Sequence, residues 1–182
     1  MCSLFRNKYR NESFRLTGHD YSSGGKYFIT ICTNLFVLYF GNTVTGKMIL
    51  SESGRIANKM WYKLPEHFSF ISLDEFVVMP NHVHGIIIIE PTPVGTLHAT
   101  SLQSATSQQS TKNEFLSAIS PKSGSLSTVI RSYKSAVSKN VHLIDPDFSW
   151  QPRYYDHLIR SDQELDRIRK YIIDNPVKWD NQ

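Results

Sequence analysis

The sequence predicts one domain of the α+β class, on three observations. Short runs of β-branched and aromatic residues stand between turn residues, as strands do. Two of these runs, Ile71–Met79 and His82–Ile89, are separated only by Pro80-Asn81, which joins them as a hairpin. Other stretches repeat apolar residues every three or four positions, as amphipathic helices do. At 182 residues the chain suits one domain rather than two.

The elements follow in order. Residues 1–24 are basic and carry no periodicity, so they read as an arm against a phosphate backbone or as a solvated tail. Tyr27–Thr33 follows Gly24-Gly25 and reads as the first strand, with Leu35–Phe40 extending or pairing with it. Gly41-Asn42 and Gly46 mark turns. Ser51–His67 reads as a helix on Ile56, Met60 and Leu64, with Pro65 in its last turn. The hairpin comes next, and its run Ile86–Ile89 is apolar on both faces. That suits a central strand covered on both sides, or one face covered and the other lining a site. Residues 91–125 are rich in Ser, Thr, Gln and Pro, too polar to build a core, and read as a flexible loop. Leu126–Asn140 is an amphipathic helix with Leu126, Val129, Ile130, Tyr133 and Val137 on one stripe. His157-Leu158-Ile159 reads as a short strand. The last helix opens on Ser161 with Glu164 three residues on, a capping box, and ends near Asp174 before Pro176.

Composition narrows the function classes. The formal charge is +4 and the sequence pI about 9.0, a mild basic bias that permits an anionic partner without requiring one. Cys2 and Cys32 are the only cysteines and have no CxxC spacing, which excludes a disulfide framework and a zinc knuckle. A reduced, cytoplasmic setting is expected, with no signal peptide and no membrane span.

Two features carry chemistry. His82 and His84 are two apart in a strand, so both imidazoles project from one face within reach of one metal ion. They equally suit turn histidines that cap the hairpin. On the last helix, Leu165, Ile168 and Ile172 form the apolar stripe, and Tyr171 and Asn175 sit together at its edge, one turn apart. A tyrosine at such an edge reaches either a cleft against the sheet or water. Tyr133 is a rival nucleophile, but it falls in the middle of an apolar stripe, which favours a core role.

The two features together, with a third, resemble a known family. Met79-Pro80-Asn81-His82-Val83-His84-Gly85, followed by Ile86–Ile89, resembles the metal-binding strand of the HUH single-tyrosine transposases. Trp150-Gln151-Pro152-Arg153-Tyr154-Tyr155-Asp156-His157 and Tyr171-Ile172-Ile173-Asp174-Asn175-Pro176-Val177-Lys178 resemble the REP-associated tyrosine transposase branch. The motifs stand in the family's order and span most of the chain from Tyr27 onward.

The resemblance implies a ferredoxin-like antiparallel sheet with helices packed on it. It implies Tyr171 as nucleophile, and Mg²⁺ or Mn²⁺ held by His82, His84 and Asn175. Asn175 stands where other branches carry glutamine, a longer side chain with the same amide carbonyl. It implies single-stranded or hairpin DNA as substrate, cut and rejoined through a 5′-phosphotyrosine. It leaves monomer or homodimer open. A tyrosine hydroxyl is a weak nucleophile, and a divalent cation offsets that by stabilising charge on the attacked phosphate. Arg131, Lys134, Arg153 and Lys178 are candidate phosphate contacts, or ordinary surface charges. Tyr154 and Tyr155 are candidates to stack on unpaired bases, or to pack on the sheet. His157 matches a recurrent family position with no role that chemistry assigns. The competing readings are a hairpin-binding protein without catalysis, a metal-dependent hydrolase and a replication or plasmid-transfer nickase.

Overall fold

The computed structural model describes residues 24–90 and 124–180. The arm expected at 1–24 and the polar loop expected at 91–125 lie outside these residues, save at their margins. Strands β1 (Gly25–Cys32), β4 (Ile71–Met79), β5 (His82–Ile89) and β6 (Tyr155–Ile159) form one antiparallel sheet in the order β4-β5-β1-β6. With helix α1 (Glu52–Tyr62) between β1 and β4, and α3 (Leu126–Val141) between β5 and β6, the path is the β-α-β-β-α-β of a ferredoxin-like domain. A short helix α2 (Leu64–His67) follows α1, and α4 (Asp162–Ile173) and α5 (Asn175–Trp179) close the chain. Among the described residues no helix is long and apolar enough to cross a membrane.

The pleat of β5 sorts its side chains onto two faces. Val83, Ile87 and Ile89 join the main core with Tyr27, Ile29 and Ile31 of β1, Ala57 and Trp61 of α1, and the apolar stripe of α3. Ile86, and Ile88 beside it, pack on the opposite face against Leu165, Ile168 and Ile172 of α4. His82 and His84 share the parity of Ile86 and therefore face α4. Gly85 shares the parity of Val83 and Ile87 and faces the main core. A Cβ there would come within 2.3 Å of the Trp61 indole, which is wholly buried and stacks on Phe76 at 4.4 Å.

Three local readings differ from expectation. The helix expected over 51–67 is two helices. Ser51 caps α1 by accepting from the Gly54 N–H, and the chain breaks at Lys63, so that Pro65 falls in the first turn of α2, where no N–H is needed. Leu35–Phe40 does not extend β1. Leu35 and Phe36 adopt left-handed backbone angles (φ 51° and 57°), which end the strand in a 3-10 turn. A small hairpin, β2 (Gly41–Val44) with β3 (Lys47–Leu50), stands where only turns were expected. Its Thr45-Gly46 loop has positive φ at both positions, the geometry of a two-residue hairpin turn.

The Gly85 contact gives a first test. Gly85→Ala forces the Trp61 ring from its seat, and overpacking of this kind costs about 1–3 kcal/mol. Urea denaturation should show a lower midpoint with an unchanged slope. A wild-type midpoint would contradict this packing.

Candidate active site

The site is built where β5 meets the turn before it. Thr30 lies opposite His84 in the β1–β5 ladder, and its hydroxyl bonds His84 Nδ1 at 2.9 Å. His82 Nδ1 bonds Asn81 Oδ1 at 2.7 Å. The Asn81 amide donates from Nδ2 to the Phe36 carbonyl at 3.2 Å, so its oxygen is the acceptor and His82 Nδ1 carries a proton. That leaves a lone pair on His82 Nε2. The two Nε2 atoms converge at 3.0 Å. A proton on His84 Nε2 then completes one directed chain from the Thr30 hydroxyl through both rings to Asn81 and Phe36. Because the Thr30 hydroxyl can donate or accept, His84 can carry its proton on either nitrogen.

The turn that carries Asn81 is itself held. The Thr33 N–H donates to the Asn81 carbonyl at 2.8 Å, its hydroxyl proton is shared between the Val37 and Asn81 carbonyls at 2.8 and 2.9 Å, and the Phe40 N–H donates to the Pro80 carbonyl. Burial pushes the His82 imidazolium down to about 4 and that of His84 well down, the latter with added repulsion from His82. Both rings are therefore neutral near pH 7, as metal ligation requires. Two neutral imidazoles with their Nδ1 atoms occupied and their Nε2 atoms converging fit a divalent cation. Among the described residues no cluster of three or more His, Cys, Asp or Glu side chains could hold one. Among the described residues a third protein ligand would be of another type, and a side-chain amide is one.

Tyr171 comes to this pair from α4. Its hydroxyl lies 3.5 Å from His84 Nε2, and its side of the helix is exposed. Phe28 of β1 is the hub of the rings, with His84 stacked at 5.4 Å and Tyr171 edge-on at 6.0 Å. The helix is fixed by the small apolar cluster beneath it and by ion pairs to Lys26, His157 and Asp74. Arg169 grips Asp74 of β4 with two bonds, Nε to Oδ1 at 2.9 Å and an Nη to Oδ2 at 2.6 Å. The Arg169 guanidinium holds the Asp74 carboxyl below its ordinary range.

The remaining candidate residues fall into two groups. Lys178 lies on α5 with its ammonium 5.4 Å from the centre of the Tyr171 ring, so it belongs to the site. Asn175 is buried at the start of α5, one turn beyond Tyr171, and Trp179 of the same helix packs 5.6 Å from His82. Arg131, by contrast, is exposed on α3, across the sheet from Tyr171. The Lys134 ammonium donates to the carbonyls of Gln151 and Arg153 at 2.7 and 3.0 Å, so it ties α3 to the loop before β6. Arg153 sits in that loop, exposed and with a positive φ of 66°. Tyr154 packs against the main core and bonds Ser127, whereas Tyr155 turns to the α4 face. Tyr133 is wholly buried and donates to the Ala57 carbonyl at 3.2 Å, and burial raises its phenol well above the ordinary value. Sequence reasoning missed Thr30, Asn81, Asp74 and Arg169. Asn81 lay within the quoted motif, but the other three depend on cross-strand register and a contact 95 residues apart.

Known proteins were compared with this chain. No protein-family model matches it. An uncharacterised protein of Haemophilus influenzae is 33 % identical over 183 residues, which cover 94 % of this chain and 91 % of that protein. The structure of a REP-associated tyrosine transposase bound to a REP hairpin superposes with a TM-score of 0.57 at 19 % identity, over 92 % of this chain and 73 % of that one. The second likeness is one of fold, and it agrees with the fold expected from the motifs.

The Asp74–Arg169 pair sets the second test. The folded value of Asp74 lies below its unfolded value near 3.8, so the pair stabilises the protein above about pH 4, and this is lost as pH falls further. Asp74→Asn should cost about 1–2 kcal/mol near pH 7. The variant should also lose less stability than the wild type between pH 5 and pH 3, with both pH values chosen to span the carboxyl range. Parallel acid curves for the two proteins would rule the pair out as the clamp on α4.

Proposed function

We propose that this chain, which belongs to the same family as the Haemophilus influenzae protein and has the fold of a REP-associated tyrosine transposase, cleaves and rejoins single-stranded DNA through Tyr171. The observation that carries the reading is the Tyr171 hydroxyl 3.5 Å from His84 Nε2, beside two imidazole nitrogens that converge at 3.0 Å. A phosphate placed there meets a nucleophile and a cation site at once.

The reaction is transesterification. Tyr171 Oη attacks phosphorus, an O–P bond forms, and the bond from phosphorus to the 3′-oxygen breaks. The phenolic proton leaves to water at the exposed side of the ring, and the departing 3′-oxygen gains one. The products are a 5′-phosphotyrosine and a 3′-hydroxyl. One phosphoester replaces another, so a hydroxyl from a second strand end reverses the step without any nucleotide cofactor. Phe28 holds the tyrosine ring edge-on, which keeps the hydroxyl directed at the histidine pair. Lys178 adds positive charge beside the attacked phosphate. His82 and His84 would hold Mg²⁺ or Mn²⁺, with the Asn175 amide as third ligand. Bound there, the cation would supply charge stabilisation at the phosphate. The substrate class we propose is DNA with an unpaired segment, of the hairpin type. Lys178 is the cation best placed along its backbone, since Arg131 lies on α3 across the sheet and the Lys134 ammonium is held by the carbonyls of Gln151 and Arg153.

The nucleophile is tested by Tyr171→Phe, which removes one oxygen and keeps the ring. The wild type incubated with single-stranded hairpins and Mn²⁺ should give a covalent adduct that survives denaturing gels and maps to the Tyr171 peptide. Tyr171→Phe should bind the DNA within about twofold of wild type and form no adduct, a rate loss of several orders of magnitude. Tyr133→Phe should stay active and lose about 1 kcal/mol of stability with its buried hydrogen bond. An adduct on Tyr133, or none on any tyrosine, overturns the reading. The second outcome would leave a DNA-binding protein without catalysis.

The cation site has its own test. Thr30→Val keeps the shape of the side chain and removes the partner of His84 Nδ1. Mn²⁺ binding, read by electron paramagnetic resonance, should weaken about 10- to 100-fold, with the circular dichroism spectrum unchanged. Equal Mn²⁺ affinity in Thr30→Val and wild type would deny Thr30 this role.

A further inference from the structure

Beside Tyr171 a groove of about 350 Å³ runs between α4 and strand β6. Its floor is apolar. Phe28 of β1 and Ile168 of α4 lie at the bottom, and Tyr171 closes the end nearest the histidines. Tyr155 forms the opposite wall. Its ring is exposed and stands edge-on to Phe28 at 6.3 Å. Thr30 pairs with both Tyr155 and His84 in the sheet, so the wall and the histidine pair are two strands apart on one face.

The far end of the groove is polar and ordered. The Glu164 carboxylate can only accept, so His157 Nε2 donates to it, at 2.9 Å. The same carboxylate takes the Arg160 N–H at 2.9 Å, and the Glu164 N–H donates to Ser161 Oγ at 3.2 Å. Glu164, whose N–H is capped by Ser161, thereby also fixes the His157 ring. With Nε2 donating to Glu164, the second ring nitrogen, Nδ1, is left for a ligand. Arg167, largely exposed, brings guanidinium donors to the same end.

We propose that this groove seats one unpaired nucleobase, that of the nucleotide next to the phosphate attacked by Tyr171. The inference rests on the proposed function and adds a base subsite to it. The volume is at the low end of small-molecule sites and is ample for one base. A flat aromatic wall and an apolar floor suit the π-face of a base, and every base offers one. The polar end offers both an acceptor and donors, which is what the edge of an unpaired base requires. Tyr171 is shared by the groove and the histidine pair, so a strand with its phosphate at Tyr171 has its neighbouring base at the mouth of the groove.

The experiment uses the full chain and a pool of DNA hairpins with randomised single-stranded flanks, from which the tightest binder is taken. 2-Aminopurine is then walked through its flank one position at a time. In the wild type, fluorescence should be quenched several-fold at one position, adjacent to the cleavage site. Tyr155→Phe should keep that quench and Tyr155→Leu should remove it. An abasic nucleotide at that position should weaken wild-type binding roughly 5- to 100-fold, the range of base–aromatic stacking. It should change binding by Tyr155→Leu less than about twofold. Uniform fluorescence along the flank, or a quench that survives Tyr155→Leu, overturns the subsite even where the Tyr171 adduct still forms. A position-specific quench without any adduct keeps the subsite and overturns the catalytic reading. A pool with no binder sinks both.

Discussion

The pleat of β5 is the constraint on which the rest depends. One strand must put Val83, Ile87 and Ile89 into the main core and His82, His84 and Ile86 onto the opposite face. A shift of one residue would bury the imidazoles under α1 and turn the valine and isoleucines to α4. Register is therefore over-determined. β1 and β4 flank the strand through ladders that run its length, and Gly85 lets Trp61 lie flat against it. The histidine pair inherits its position from this packing. Its orientation comes from a hydroxyl one strand away and an amide one residue away.

The tyrosine is positioned by other means. α4 covers a smaller apolar patch, formed with Ile86 and Ile159, and the Arg169–Asp74 fork adds direction to it. α5 is braced in turn by the β2–β3 hairpin. The Gly46 N–H donates to the Asp180 carboxylate, and Val177 packs so closely on Gly46 that a Cβ there would come within 2.9 Å of it. The short hairpin inserted after β1 thus supports the segment that carries Asn175, Lys178 and Trp179.

Much of this was legible in the sequence. Period-two alternation puts both imidazoles on one face, and helical periodicity puts Tyr171 at the edge of a stripe. The strands of the main sheet and the helices α3 and α4 fall where their patterns indicate, because each has one strongly apolar face. The β2–β3 hairpin was not legible. Its strands are four residues long, with no position fully buried, and Thr-Gly is a weaker turn signal than Asn-Gly. The end of β1 was hidden too. Leu35–Phe40 is as apolar as a strand, yet Leu35, Val37 and Leu38 are exposed, and the backbone there is set by the bonds of Thr33 to Val37 and Asn81. Lys134 looked like a phosphate contact on the outer side of a helix. It is a tie between α3 and the loop before β6, and only the tertiary fold brings those carbonyls to it.

The two ties differ in strength, and the proposed chemistry makes use of the difference. His82 and His84 stand at the turn end of the central strand β5, paired on both sides, and β5 would have to leave its ladders for them to move. Tyr171 stands on a helix held by Leu165, Ile168, Ile172 and partly exposed ion pairs to Lys26, Asp74 and His157, and elements with few buried contacts open at lower cost. A protein that exchanges one strand end for another must keep the phosphate in place while the ends trade. It must also let the tyrosine carry a covalently attached strand. Fixing the phosphate side of the reaction in the sheet, and the nucleophile on the more lightly held helix, meets both demands with the same fold.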